Sequence, residues 1–330
     1  MTVRTAIMVT MTSLPELRAR RLIAQGLSAP SRSAVGVARW MLALQGQTYP
    51  AGIRALSLRG PRDDAAVLAA VDAHEIVRAW PQRGTLHFLA AEDVRWLMRL
   101  CNPRVARAQA QRRPGLGLTE EHVTAAREAL HAELLVRDPG EPLPRPQAYA
   151  VFAAAGVDPG DGRGPHLLRA FGGEGEVVQG PKAGAVETFM HVDRLPVVQR
   201  HLEGDEALAE LGTRYLHSHG PASVKDLVWW AGLTVAQARN AVALARDVVP
   251  LTVDGEEYWM GQWQEGVGKQ ELDAALAATH ELPAFDEILL GYGDKSLVLP
   301  ERLRPEVLTK NGLSWPFIMS DGVVTGRAEP

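Results

Sequence analysis

SVKDLVWWAGLTVAQARNAVALARDVVPLTVDGEEYWM, residues 223–260, places two capped helices and a hairpin in direct succession. Ser223 can cap a helix Val224–Trp230, and Thr234 a second one, Val235–Ala245, because a side-chain oxygen there accepts a backbone N–H that the helix leaves unpaired. Gly232 makes the turn between them. Val249–Met260 then carries strand-type residues on both sides of Asp254-Gly255, a dipeptide suited to a tight hairpin turn. With a helix expected over Leu208–His217 in front, the order is helices followed by a hairpin, that of a winged helix.

The same order occurs twice more upstream. Met1–Ser13 has no strong pattern and is expected to be a loose end. Leu14–Gln25 reads as a short basic helix ended by Gly26, Ser33 can cap the next helix, and Ala65–Ala73 is a further one. Glu75–Leu89 is then a hairpin about Pro81-Gln82-Arg83-Gly84. On it Arg78, Trp80, Arg83, Thr85 and His87 combine cations, an aromatic ring and a hydroxyl, a mixture that suits phosphate and base-edge contacts. A solvated hairpin with Trp80 in the core fits the same residues. Glu92–Leu100 is helical, a boundary is expected near Asn102, and Pro103–Leu118 reads as a mobile connection rich in Arg and Gln. Thr119 opens a helix to Leu135, followed by the proline-rich linker Asp138–Pro146. Gln147–Ala155, the turn Gly156–Gly164 and Pro165–Phe171 resemble a helix-turn-helix, and Glu176–Val192 is a second hairpin with Lys182 and Gly184 near its tip. Three similar units argue for a tandem array rather than an α/β enzyme. Gly291–Pro330 has short strand-like runs with turns at Asn311-Gly312 and Asp321-Gly322, the pattern of a small β-rich domain.

A chain of 330 residues, 46% of them hydrophobic, can build two or three domains with substantial cores. Its net charge of -4 excludes a uniformly basic nucleic-acid coat, although 35 Lys and Arg can gather on one face. Cys101 is the only cysteine, which excludes an intramolecular disulfide and a multi-cysteine zinc site. No apolar run approaches membrane-spanning length, and the apolar centre of the first residues is too short for a signal peptide. A cytoplasmic location is therefore expected.

Val35–Arg59 (VGVARWMLALQGQTYPAGIRALSLR) loses its helical period after Leu44, and Pro50 stops the preceding helix from running on. Gln45-Gly46-Gln47 therefore falls at a helix end or on a short extended segment. If extended, the two carboxamides lie on one side and Gly46 on the other. Such a pair could hold a water molecule or the edge of a nucleobase without carrying charge, or could simply be polar surface. Asp286, Glu287 and Asp294 in PAFDEILLGYGDKS form a second cluster, open to a metal or acid-base role but more ordinary as a network of ion pairs. Other patterns fail by inspection. Gly268-Lys269 lacks the glycine and the Ser or Thr of a phosphate-binding loop, and Gly160, Gly162 and Gly164 follow a helix rather than a strand. There is no G-x-S-x-G, no H-E-x-x-H and no P-C-x-x-C. With no metal-ligand motif, no cofactor is expected, and activity should survive chelators.

RRLIAQGL, WMLALQGQTYPAGIRALSLR, EIVRAWPQRGTLHFLAAEDVRWL, HGPASVKDLVWWAGLT and LPAFDEILLGYGDKS occur in this order and resemble the AlkZ/YcaQ family of bacterial winged-helix DNA glycosylases, from about Arg20 onward. The resemblance implies an α+β chain of three tandem winged helices and a small C-terminal β-barrel, C-shaped around double-stranded DNA. The corresponding segments are a loose extension 1–13, winged helices at 14–102, 103–206 and 207–280, and a β-rich domain at 281–330. It implies a monofunctional enzyme that excises bulky, cationic N7- or N3-alkylated purines, unhooks interstrand crosslinks, and in some members gives self-resistance to a DNA-alkylating natural product. The family's catalytic Gln-apolar-Gln motif falls on Gln45 and Gln47, and its minor-groove hairpin on Glu176–Asp193, which brings His191 near DNA. Gly46 departs from the apolar middle position, and the chain ends where family members commonly continue the barrel.

The rival reading is a DNA-binding regulator, or a damage-binding protein without catalysis. Regulators of this kind usually read two-fold sites as dimers, and three non-identical units give no obvious two-fold partner. A monomer associated with the nucleoid is expected, binding duplexes through Arg78, Arg83, Lys182 and Lys225 with a steep salt dependence.

Overall fold

The computed structural model describes residues 9–10, 13–138 and 140–329, so most of the expected loose extension lies outside the described residues. Val9–Thr10 is an exception, pairing in parallel with Leu251 and Thr252. The chain divides into two compact units, residues 1–67 with 204–330, and residues 68–203.

In the first unit the capping expected at 223 and 234 is present. Ser223 accepts from Asp226 N while Asp226 in turn accepts from Ser223 N, opening the helix Val224–Ala231. Thr234 and Gln237 do the same for Val235–Leu244. The helix Gly204–His219 packs on Val235–Leu244, and its Gly212 allows the close approach, since a Cβ there would overlap the backbone of Ala241. The hairpin Val248–Val253 and Glu256–Gly261 turns at Asp254 and Gly255, whose φ values of 49° and 82° are the two positive angles that such a turn requires. Val249, Leu251 and Val253 alternate inward and share a core with Leu17 and Met260.

The C-terminal part of this unit departs from the barrel. His280–Leu282, Phe317–Ser320 and Val323–Arg327 form an open antiparallel sheet in that order, and no closed barrel forms among the described residues. Part of the stretch read as strands is helical turn instead, at Glu301–Leu303 and Arg304–Val307. Pro305 stands in the first turn of the last of these, where its missing N–H leaves no bond unmade.

The second unit is built on five antiparallel strands in the order Thr85–Ala90, Ile76–Gln82, Val177–Gln179, Thr188–His191 and Leu143–Pro144. The two expected hairpins thus share one sheet, joined where Arg78 faces Gln179. The first turns at Arg83 and Gly84, both with positive φ, while Pro81 lies inside the strand at a break in register between Ala79 and Gln82. That is where a strand tolerates a residue with no N–H to donate. The helices Glu120–Val136, Arg145–Ala154 and Arg163–Gly173 cover the sheet through Leu130, Phe152, Leu167 and Phe171. The connection 103–118 is not loose: Pro103–Ala110 is a helix, with Pro103 at its start and Asn102 O accepting from Ala106 N, and Pro114–Leu116 is a 3-10 turn. Among the described residues no helix is long and apolar enough to cross a membrane.

Candidate active site

Gln45 stands on a two-residue strand, Leu44–Gln45, between two helices. The first, Ala34–Met41, is capped by Ser33 and buries Ala34, Val37, Ala38 and Met41, one face at helical spacing. It stops at Leu42, whose φ of 65° and ψ of -57° close a three-residue γ-turn in which Ala43 N donates to Met41 O at 2.8 Å. This is the rare, strained hand of that turn, held by a fully buried leucine three residues before Gln45. The second helix, Tyr49–Arg59, carries Pro50 in its first turn. Of the two extremes open to the sequence, the motif is thus extended at Gln45. The chain bends at Gln47, however, and the two carboxamides differ in surroundings: Gln45 is 9% exposed and Gln47 lies open to solvent. Gly46 between them is buried.

What fixes this segment lies at the far end of the second helix. Arg59 is buried and makes a bidentate pair with Asp286, at 2.7 and 2.8 Å. Asp286 in turn caps Glu287–Leu290 through Ile288 N, and that short helix packs against Leu44–Gln45. Burial alone would pull Arg59 down, but the charge and hydrogen bonds of Asp286, with Glu287 behind it, carry its pKa above the ordinary arginine value. Arg59 also donates to Gln25 Oε1 at 2.7 Å, Gln25 Nε2 donates to the Tyr292 hydroxyl, and Tyr292 donates to His219 O. Glu287 accepts from Trp230 Nε1 and faces His219 Nε2 at 3.3 Å. Burial lowers the His219 pKa and raises that of Tyr292, so both rest neutral. Arg21 stacks on the Tyr292 ring at 3.6 Å and pairs with Asp226.

The carboxylates of PAFDEILLGYGDKS are therefore a structural network, the more ordinary of the two readings of that motif. Asp294 is spent on Ser296, accepting from its N and Oγ. No group of three His, Cys, Asp or Glu stands ready for a metal among the described residues.

The hairpin residues expected to meet DNA separate into two sets. Arg78 is 4% exposed and donates to Gln179 across the join between the two hairpins. Trp80 packs in the core with Leu167 and Phe171, where a Cβ on Gly172 would overlap its ring. His87 is fully buried and its Nδ1 meets Thr85 O. These three have roles inside the sheet, because every residue of Ile76–Gln82 and of residues 86–90 is buried and neither face is left to solvent. His191 is also buried, beside His131 at a ring separation of 4.7 Å, and burial followed by the His131 charge lowers its pKa. Arg83, Thr85 and Lys182 are partly exposed at the hairpin tips, and Lys225 is open to solvent on its helix, 3.8 Å from Glu256.

The family model for DNA glycosylases of the AlkZ-like type matches residues 38–330, the Gln45-Gly46-Gln47 segment included. The chain belongs to the AlkZ-like DNA glycosylase family. The AlkZ-like fold is supported independently by the solved structure of Streptomyces sahachiroi DNA glycosylase AlkZ. That structure superposes with a TM-score of 0.77 at 22% identity, over 98% of this chain and 88% of that one. No curated protein matches by sequence. The AlkZ-like chain is accordingly an enzyme, a DNA glycosylase whose substrate is DNA, and the regulator reading is set aside. Sequence reasoning missed Leu42 and Arg59, because nothing in the linear pattern marks a leucine for positive φ or pairs residue 59 with residue 286.

Proposed function

We propose that this AlkZ-like glycosylase hydrolyses the N-glycosidic bond of bulky, cationic N7- or N3-alkylated purines in duplex DNA, with Gln45 and Gln47 as its catalytic pair. The observation that carries the reading is the construction around Gln45. A neutral carboxamide is held nearly buried on a short strand between a strained turn at Leu42 and a helix anchored by the Arg59–Asp286 pair. Precise placement of a carboxamide, with the neighbouring Asp286 and Glu287 engaged by Arg59 and Trp230, suits a substrate whose base already carries a positive charge. Such a base leaves without protonation, and the enzyme has only to orient water and stabilise a sugar with oxocarbenium character. Gln45 is the fixed member of the pair. Gln47, open to solvent, is the one placed to take up the incoming water and adjust to the lesion. A neutral, undamaged purine gains little from this arrangement and is a poor substrate.

The helix-then-hairpin order supports three winged-helix segments at 14–102, 103–206 and 207–280, with a β-rich segment at 281–330, acting as a monomer on DNA. Arg83, Thr85, Lys182 and Lys225 are the solvent-accessible contacts of this reading, and His191 acts from within the second hairpin. Crosslink unhooking follows from the same chemistry when the alkyl group tethers the opposite strand, and self-resistance to a DNA-alkylating product would be its biological use. Single-turnover release of an N7-alkylguanine from duplex DNA by wild type, Gln45→Ala and Gln47→Ala tests the reading. Slow release by both variants with duplex binding intact supports it, and wild-type rates would remove the pair from catalysis.

A further inference from the structure

We propose that Arg112, Arg169 and His166 form a phosphate site that grips the DNA backbone beside the tip of the first hairpin. The residues come from two segments. The helix Pro103–Ala110 packs against Arg163–Gly173, which brings the turn after the first helix to the face of the second that carries residues 166 and 169. Arg169 lies directly over the hairpin turn, since a Cβ on Gly84 would overlap its guanidinium.

The charges of this surface are unbalanced. Arg113 is paired with Glu120 at 2.8 Å and Arg163 with Asp158, but no carboxylate pairs with Arg112 or Arg169 among the described residues. His166 stands among them, 9% exposed, with a buried Nε2 that has no hydrogen-bond partner among the described residues. A buried polar atom with no partner costs on the order of 1–3 kcal/mol, so a ligand that supplies one is favoured. Burial, then the charges of Arg113, Arg112 and Arg169, lowers the His166 pKa, and burial with Arg112 lowers that of Arg169. All of these perturbations have one sign: each is relieved by an anion. Two guanidinium groups and an imidazole N–H match the oxygens of a phosphodiester, which forms charge-assisted hydrogen bonds with forked donors. Duplex DNA is the phosphate source that a DNA glycosylase meets, and contacts of this type hold register without reading sequence.

The test uses full-length protein and an undamaged duplex, so that it does not depend on which lesion is excised. Duplex affinity is measured across a salt series for wild type, Arg112→Gln, Arg169→Gln, His166→Phe and, as a control in the other compact unit, Lys310→Gln. Removing one cation from a phosphate should lower the slope of log Kd against log salt by about 1. The proposal expects that drop for Arg112→Gln and for Arg169→Gln, weaker binding for His166→Phe, and a wild-type slope for Lys310→Gln. Arg112 is exposed, so its variant is readable even where Arg169→Gln disturbs the hairpin packing. An unchanged slope in Arg112→Gln, or an equal drop in the control, overturns the proposal. Repeating the series in phosphate buffer of matched ionic strength separates the backbone from the free ion. Variant differences that persist support a backbone site, and duplex affinities that are equal in wild type and Arg112→Gln in both buffers contradict it.

Discussion

Arg59 and Asp286, 227 residues apart in sequence, meet in a bidentate pair with both side chains buried, and the pair ties the helix that follows Gln47 to the helix that backs Gln45. Such a pair stabilises little compared with a well-packed apolar substitute, but removal of one partner leaves an unmatched buried charge. Asp286→Asn and Arg59→Met should each destabilise the fold by about 3–5 kcal/mol. The double variant Arg59→Met with Asp286→Leu should recover much of that loss. Urea unfolding of the three proteins checks this, and single variants within about 0.5 kcal/mol of wild type would show that neither charge depends on the other.

A second prediction concerns Leu42. Replacement by alanine or by glycine removes the same buried side chain, but only glycine adopts a φ of 65° without steric cost. Leu42→Gly should therefore be more stable than Leu42→Ala by about 1–3 kcal/mol, the reverse of their order in an ordinary helix. If alanine proves equal or better, the γ-turn before Gln45 is not strained.

The local elements are legible in the sequence because their signals are local. Ser223, Thr234 and Asp254-Gly255 mark caps and a turn by their own chemistry, and each functions as expected. The pairing of Arg78 with Gln179 is not legible, since a register between strands a hundred residues apart leaves no periodic trace. The helix Pro103–Ala110 is hidden for a related reason: Gln109 is its only buried residue, so it has no apolar face to recognise. At the site, Gln45 and Gln47 stand out as a pair. The burial of Arg78, Trp80 and His87 is not legible either, because composition cannot tell a strand buried on both faces from one with an open face. The barrel expectation rests on the resemblance, and helical turns at Glu301–Leu303 and Arg304–Val307 stand where further strands are expected.

A third prediction is acid sensitivity. Burial lowers the pKa values of His166, His191, His219 and His280 below the ordinary 6.5. The unfolded chain therefore takes up protons that the folded one refuses as pH falls through 6.5, and stability drops. Asp158, held by Gly160 N and then Arg163, and Asp294, held by the Ser296 backbone, have depressed pKa values. Their contribution is present above the ordinary carboxylate value and is lost at lower pH, so it adds to the fall. Urea midpoints should decline from about pH 6.5 downward. A midpoint that is flat or rising between about pH 7 and 5 would contradict the neutral, buried state of these histidines.

The most direct test is single-turnover release of N7-alkylguanine by Gln45→Ala, Gln47→Ala and the double variant, with duplex affinity measured in parallel. Loss of positioning or of one oriented dipole should slow release by roughly 10- to 1000-fold in each single variant. The double variant should be little slower than the poorer single one, since two residues acting on one water are not additive. Duplex affinity should hardly change, because a neutral amide adds little to binding dominated by phosphates. Wild-type release rates in both single variants, at unchanged affinity, would show that Gln45 and Gln47 are ordinary polar residues and that the catalytic assignment is wrong.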